Sequence, residues 1–174
     1  MNEQAHVEAR LAAVEQAGGA EKLDRYFVGL SLKRAQHELR LAINAELAVL
    51  GTNISQLNVL REIKLHPGVS SADLARLAFL TPQTLGQQVM QMQARGLVER
   101  RPGEGRKIRH YLTKAGEKLV RAGMEKTREV DARVLSDFGD AELAALVDAF
   151  QTIERRAAEA RAHAKRFAPV VVRP

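Results

Sequence analysis

Residues 71–113 read SADLARLAFLTPQTLGQQVMQMQARGLVERRPGEGRKIRHYLT, and the order of signals in this stretch decides the fold. Ser70 can cap a first helix, with Asp73 three residues on completing a capping box, and Leu74, Leu77 and Ala78 then fall on one side. Leu80-Thr81-Pro82 stops that helix and starts another. Thr81 is a good N-cap, and Pro82 at the first helical position has no amide to leave unpaired. The second helix is expected to run to about Arg95. Leu85, Val89 and Met92, at i, i+4 and i+7, form its buried stripe.

The opposite side carries Gln83, Thr84, Gln87, Gln88 and Gln91, with no acid between Thr81 and Arg95. Gln presents a paired donor and acceptor suited to adenine, and Thr can bond a base or touch a thymine methyl. A merely solvated face is the alternative, but such faces are usually rich in Glu and Lys. Gly96 ends the helix as a left-handed cap. Leu97–Arg101 then reads as a short strand, Pro102-Gly103-Glu104-Gly105 as a turn, and Arg106–Leu112 as a returning strand. Arg100, Arg101, Arg106, Lys107 and Arg109 crowd this hairpin. From Arg95 to Lys118, eight Lys or Arg stand against three Glu, so most of the net charge of +6 sits in this one region. Such a concentration suits counterion release from a phosphate backbone. Two short helices followed by a basic hairpin predict a winged helix-turn-helix that binds double-stranded DNA.

From about Tyr26 to Ala160 the sequence resembles the MarR family of transcriptional regulators. The marks are Ser71-Ala72-Asp73-Leu74-Ala75, Thr84 with Leu85 and Val89, Arg95-Gly96-Leu97-Val98-Glu99-Arg100, the hairpin, and Leu112-Thr113-Lys114-Ala115-Gly116. The resemblance implies that Arg106, two residues after the acid Glu104, enters a minor groove. Glu stands there where the family more often has Asp. Gly86 and Gln88 also depart from the pattern, which often has a hydroxyl residue and an apolar one at these places. Gly86 costs the helix about 1 kcal/mol relative to Ala.

The 174 residues, 45% apolar with only 4% aromatic and no Trp, suit one mainly helical unit with an aliphatic core. Without cysteine there is no disulfide, thiolate metal site or thiol-based peroxide sensing. No run of about 18 apolar residues and no charged-then-apolar leader occurs, so membrane insertion is not expected and a cytoplasmic location is. The five histidines are scattered without metal-ligand spacing, and neither a phosphate-binding Gly loop nor a nucleophile elbow is present. Neither enzyme activity, metal nor cofactor is therefore expected; His110 reads as a packed or partly exposed strand residue.

The fold class expected is mainly α with a small β-wing, a winged helix-turn-helix flanked by long N- and C-terminal dimerisation helices. Residues 1–20 form an added helix carrying Val7, Leu11 and Val14, followed by a Gly18-Gly19 break, and 21–52 a long helix with Leu23, Phe27, Leu30, Leu41, Leu47 and Leu50. Residues 53–113 form the DNA-binding domain, beginning with a helix capped by Asn53, which turns Leu57, Leu60 and Ile63 inward and stops at His66-Pro67-Gly68. Residues 114–165 hold a helix to about Phe138 and a last one from Asp140 with Leu143, Leu146, Val147, Phe150 and Ile153 on its apolar side; 166–174 are a tail. These stripes either close a monomeric helical core or join two copies. The resemblance implies the second: a homodimer reading a pseudo-palindromic operator whose half-sites lie about 10 base pairs apart.

The resemblance further implies a repressor released by a small aromatic or phenolic acid bound between the dimerisation helices and the winged helix. His37, Arg40, Asn44 and Arg61, polar groups near that junction, are the candidate lining, although a lone His or Arg on a long helix is more often solvated or paired with a neighbouring acid such as Glu38 or Glu46. An architectural DNA binder without an effector is the rival reading.

Overall fold

The computed structural model describes residues 25–105 and 107–166. The added helix expected at 1–20, Leu23, Arg106 and the tail beyond residue 166 lie outside the described residues. Among these are six α-helices and one small sheet: α1 Arg25–Leu47, α2 Ile54–Leu65, β1 Val69–Ser70, α3 Ser71–Leu77, α4 Pro82–Ala94, β2 Val98–Pro102, β3 Ile108–Leu112, α5 Lys114–Val134 and α6 Asp140–Arg166.

Local chemistry explains most boundaries. α1 gives way to a 3-10 turn at Ala48–Leu50, closed by Gly51 in the left-handed conformation, so its regular part ends three residues before the Leu50 expected. Asn53 accepts the amide of Gln56 and caps α2, while the Asn44 side chain accepts the amide of Ile54 at 2.9 Å. Ser70 accepts the Asp73 amide at the start of α3, and its hydroxyl donates to the Asp73 carboxylate at 2.7 Å. That bond, with Arg76 next, holds the Asp73 carboxyl below its usual range. Thr113 caps α5 by accepting the Gly116 amide at 3.1 Å. α5 is regular only to Val134, short of the expected Phe138.

The sheet is antiparallel in the order β1-β3-β2, with Val98 opposite Leu112 and Pro102 opposite Ile108. β1, two residues pairing Val69 with His110 and Ser70 with Arg109, was not expected from sequence: two residues are too few to show an alternation.

The chain divides into two units, residues 1–127 and 128–174, with α5 running through the division. In the first, Val59, Leu60 and Ile63 of α2, Leu74 and Ala75 of α3, Leu85, Val89 and Met92 of α4, Leu97, Val98 and Val120 make one aliphatic core. Gly123 lets α5 approach α2 closely, since a β-carbon there would come within 2.7 Å of Leu57. In the second unit α6 leaves Val147, Phe150 and Ile153 exposed, and Val134 and Phe138 before it are exposed as well.

Candidate nucleic-acid interface

α4 is held from beneath by Leu85, Val89 and Met92, each no more than 3% exposed. Thr81 caps it, accepting the Thr84 amide at 3.2 Å, with Pro82 in the first turn. Opposite the buried stripe, Gln83, Gln87 and Gln91 are exposed. Two other residues share that side: Met90, 57% exposed, and Gly86. Nothing in the sequence marks Met90 as exposed, because an apolar residue counts towards a core until the direction of the helix is known.

Two of the five expected readers are otherwise engaged. The Thr84 hydroxyl is 2.8 Å from that of Thr81 and belongs to the cap. Gln88 is not on the exposed face: its amide donates to the Ser55 hydroxyl on α2 at 2.8 Å, and its Oε1 is buried without a partner. At 100° per residue, Gln88 lies about 60° from Leu85, on the flank that α2 covers. An apolar residue suits that flank, which accounts for the family preference at this position.

The wing likewise sorts its cations. Val98, Arg100 and Pro102 share one face of the hairpin with Ile108, His110 and Leu112; Glu99 and Arg101 share the other with Arg109 and Tyr111. Arg101 bonds Glu99 at 2.7 and 3.2 Å and stacks 4.5 Å from the centre of the Tyr111 ring. Arg109 is partly buried and donates to the Gly68 carbonyl at 3.1 Å, tying the wing to the loop before β1. Gly68 must be Gly: its φ is +81°, and a β-carbon would meet the Tyr111 hydroxyl at 2.8 Å. Arg100 and Lys107 are exposed and form no side-chain hydrogen bond or ion pair among the described residues, which leaves them available to phosphate. Arg106 lies outside the described residues. Pairing begins at Ile108, so Lys107 belongs to the turn rather than to the returning strand.

Between α4 and the wing lies a cavity of about 370 Å³, walled by Pro82, Gly86, Val89 and Met90, with Arg100 and His110 on the sheet side. His110 is 1% exposed, and its Nδ1 donates to the Val69 carbonyl at 3.1 Å. Burial holds its pKa below the usual histidine value, opposed by the Val69 bond and helped by nearby Arg100.

His37, Arg40, Asn44 and Arg61 are not gathered around one space. His37 and Arg40 meet on the exposed surface of α1 at 3.2 Å. Asn44 is spent on capping α2, and Arg61 pairs with buried Glu62 at 3.0 Å. A groove of about 350 Å³ along α1 takes in His37 with Leu30, Lys33 and Arg34, but none of the other three. Among the described residues no three His, Asp or Glu group as a metal site would require, and no helix is long and apolar enough to cross a membrane.

The model of the MarR family matches residues 50–107, from the 3-10 turn after α1 into the wing. The HTH-type transcriptional repressor Rv2887 of Mycobacterium tuberculosis is 34% identical over 111 residues, spanning 63% of this chain and 80% of the relative. Its structure in complex with DNA superposes with a TM-score of 0.61 at 28% identity, over 72% of this chain and 95% of that one. The complex of the same protein with p-aminosalicylic acid gives 0.61 at 29%, over 72% and 97%. A MarR-family regulator from Rhodococcus sp. RHA1 shares the fold with a TM-score of 0.70 at 22% identity, over 77% and 96%. With the capped helix pair, the paired wing and a relative of this identity in agreement, the chain belongs to the MarR family of transcriptional regulators.

Proposed function

We propose that the protein is a dimeric, sequence-specific DNA-binding repressor, located in the cytoplasm and without enzyme activity, that a small aromatic acid releases from its operator. The observation that carries this reading is the exposed side of α4. Gln83, Gln87 and Gln91 stand there without an acid, beside the unpaired cations Arg100 and Lys107. Amides read base edges and the cations hold phosphates; Arg106 keeps the minor-groove role that the resemblance assigns to it. The rival, an architectural binder, needs only the cations. The apolar side chains that the single chain leaves exposed, Val134, Phe138, Val147, Phe150 and Ile153, support a second copy as partner, with residues 21–52 and 114–165 as the joining helices.

The Mycobacterium tuberculosis relative has been solved with p-aminosalicylic acid and with DNA, which supports an effector of that class. On this chain the cavity between α4 and the wing suits such a molecule better than the scattered His37, Arg40, Asn44 and Arg61. Its apolar walls fit a ring, and Arg100 supplies a guanidinium for the carboxylate. Because Gly86, Met90 and Arg100 border both the cavity and the DNA-facing surface, an occupant would favour the unbound protein, as any effector must by binding the two states unequally. The test is electrophoretic retardation of the DNA upstream of the protein's own gene against random DNA at one salt concentration, then with a panel of aromatic acids. Selective retardation relieved by one acid is expected. Equal retardation of both duplexes, indifferent to every acid, would favour the architectural binder.

A further inference from the structure

The turn between α3 and α4 holds a residue that its own backbone disfavours. α3 ends with the Leu80 amide donating to the Ala75 carbonyl at 2.9 Å and the Phe79 amide to that of Arg76 at 3.3 Å, the paired bonds of a Schellman motif. α4 ends in the same way, Leu97 to Met92 and Gly96 to Gln93, both at 2.9 Å. The left-handed position is Gly96 in α4 and Phe79, at φ +54°, in α3. Every other positive φ among the described residues belongs to a glycine. A bulky L-residue in this conformation crowds its Cβ against the following carbonyl, and burial does not compensate, because Phe79 is 88% exposed. Within the chain the ring therefore does nothing that glycine would not do better.

Its position suggests what it does outside the chain. Phe79 is two residues before Thr81, the cap of the helix whose exposed face carries Gln83 and Gln87. A recognition helix meets base edges through its N-terminal residues, so a side chain just ahead of that cap arrives where the major groove meets the sugar-phosphate edge. We infer that Phe79 is a DNA contact, its ring lying against an apolar part of the duplex at that edge: a thymine C5-methyl or the adjoining deoxyribose. This inference rests on the DNA-binding reading proposed above.

The test uses the full chain and the duplex it enriches from a randomised pool. Phe79→Gly should melt no lower than the parent, since the backbone is relieved, yet bind about tenfold more weakly through the loss of one partly buried aromatic contact. The slope of log affinity against log salt should not change, because no phosphate contact is removed. Phe79→Asn, which also tolerates the left-handed region, repeats the comparison should the glycine variant fold poorly. Thymines replaced singly by uracil separate the two sources. Parent sensitivity at one thymine per half-site, absent in Phe79→Gly, assigns the methyl; weaker binding by the variant without such sensitivity assigns the deoxyribose. A Phe79→Gly protein that binds and discriminates like a selective parent overturns the contact alone. A parent that holds neither the enriched duplex nor random DNA overturns the DNA-binding reading and this contact with it.

Discussion

Replacing Gln88 by Leu is expected to leave DNA recognition intact and to stabilise the protein or leave it unchanged. The substitution removes the bond from Gln88 to Ser55, a side-chain hydrogen bond whose net contribution is about 1 kcal/mol. It also removes the buried Oε1, which has no partner; an unsatisfied acceptor of this kind costs roughly 1–3 kcal/mol. Leu is similar in size, and the Ser55 hydroxyl, only part-buried, can turn to water. The balance lies between about 0 and +2 kcal/mol, which at roughly 2–4 °C per kcal/mol for a chain of this length raises the melting temperature by up to about 8 °C. Thermal denaturation of the two proteins in parallel, with titration of an operator fragment and a random duplex, measures both effects. A tenfold loss of discrimination with unchanged stability would refute the reasoning and return Gln88 to the base-reading face.

Gln87→Ala, just under half a turn away from the core stripe, is expected to lose about 1–3 kcal/mol of preference for operator over random DNA; equal weakening on both duplexes would make Gln87 a backbone contact instead. Gly116→Ala places a β-carbon onto the Leu97 carbonyl oxygen, a backbone atom that also accepts the Thr113 amide, so about 1–3 kcal/mol of stability should be lost, and a calorimetric melting temperature equal to the parent's would show that the first turn of α5 does not press on Leu97. Burial depresses the His110 pKa in the folded state, so the unfolded chain binds the extra proton more readily. The contribution is then present above the unfolded value of about 6.5 and lost as pH falls through it towards the folded value. Urea midpoints should accordingly decline more between pH 7.5 and 5 for the parent than for His110→Gln, and parallel declines would remove His110 as the cause.

What the sequence by itself determined is the succession of elements around α3 and α4 and the side of α4 that packs. Ser70, Thr81, Asn53 and Gly96 act on amides and carbonyls three to five residues away, and Leu85, Val89 and Met92 recur at the helical period, so both signals are complete within a few neighbouring residues. The fate of the polar side chains was not decided there. Gln88 is claimed by Ser55, 33 residues earlier, and Arg109 by Gly68, 41 residues earlier. The two-residue strand β1 exists only because β3 returns beside it, and that return buries His110 and closes one side of the cavity next to α4. A residue type and its spacing state what a side chain is able to bond; which partner it meets depends on segments that only the folded chain brings together, and this is why the tertiary structure separated Gln87 from Gln88 and Arg100 from Arg109.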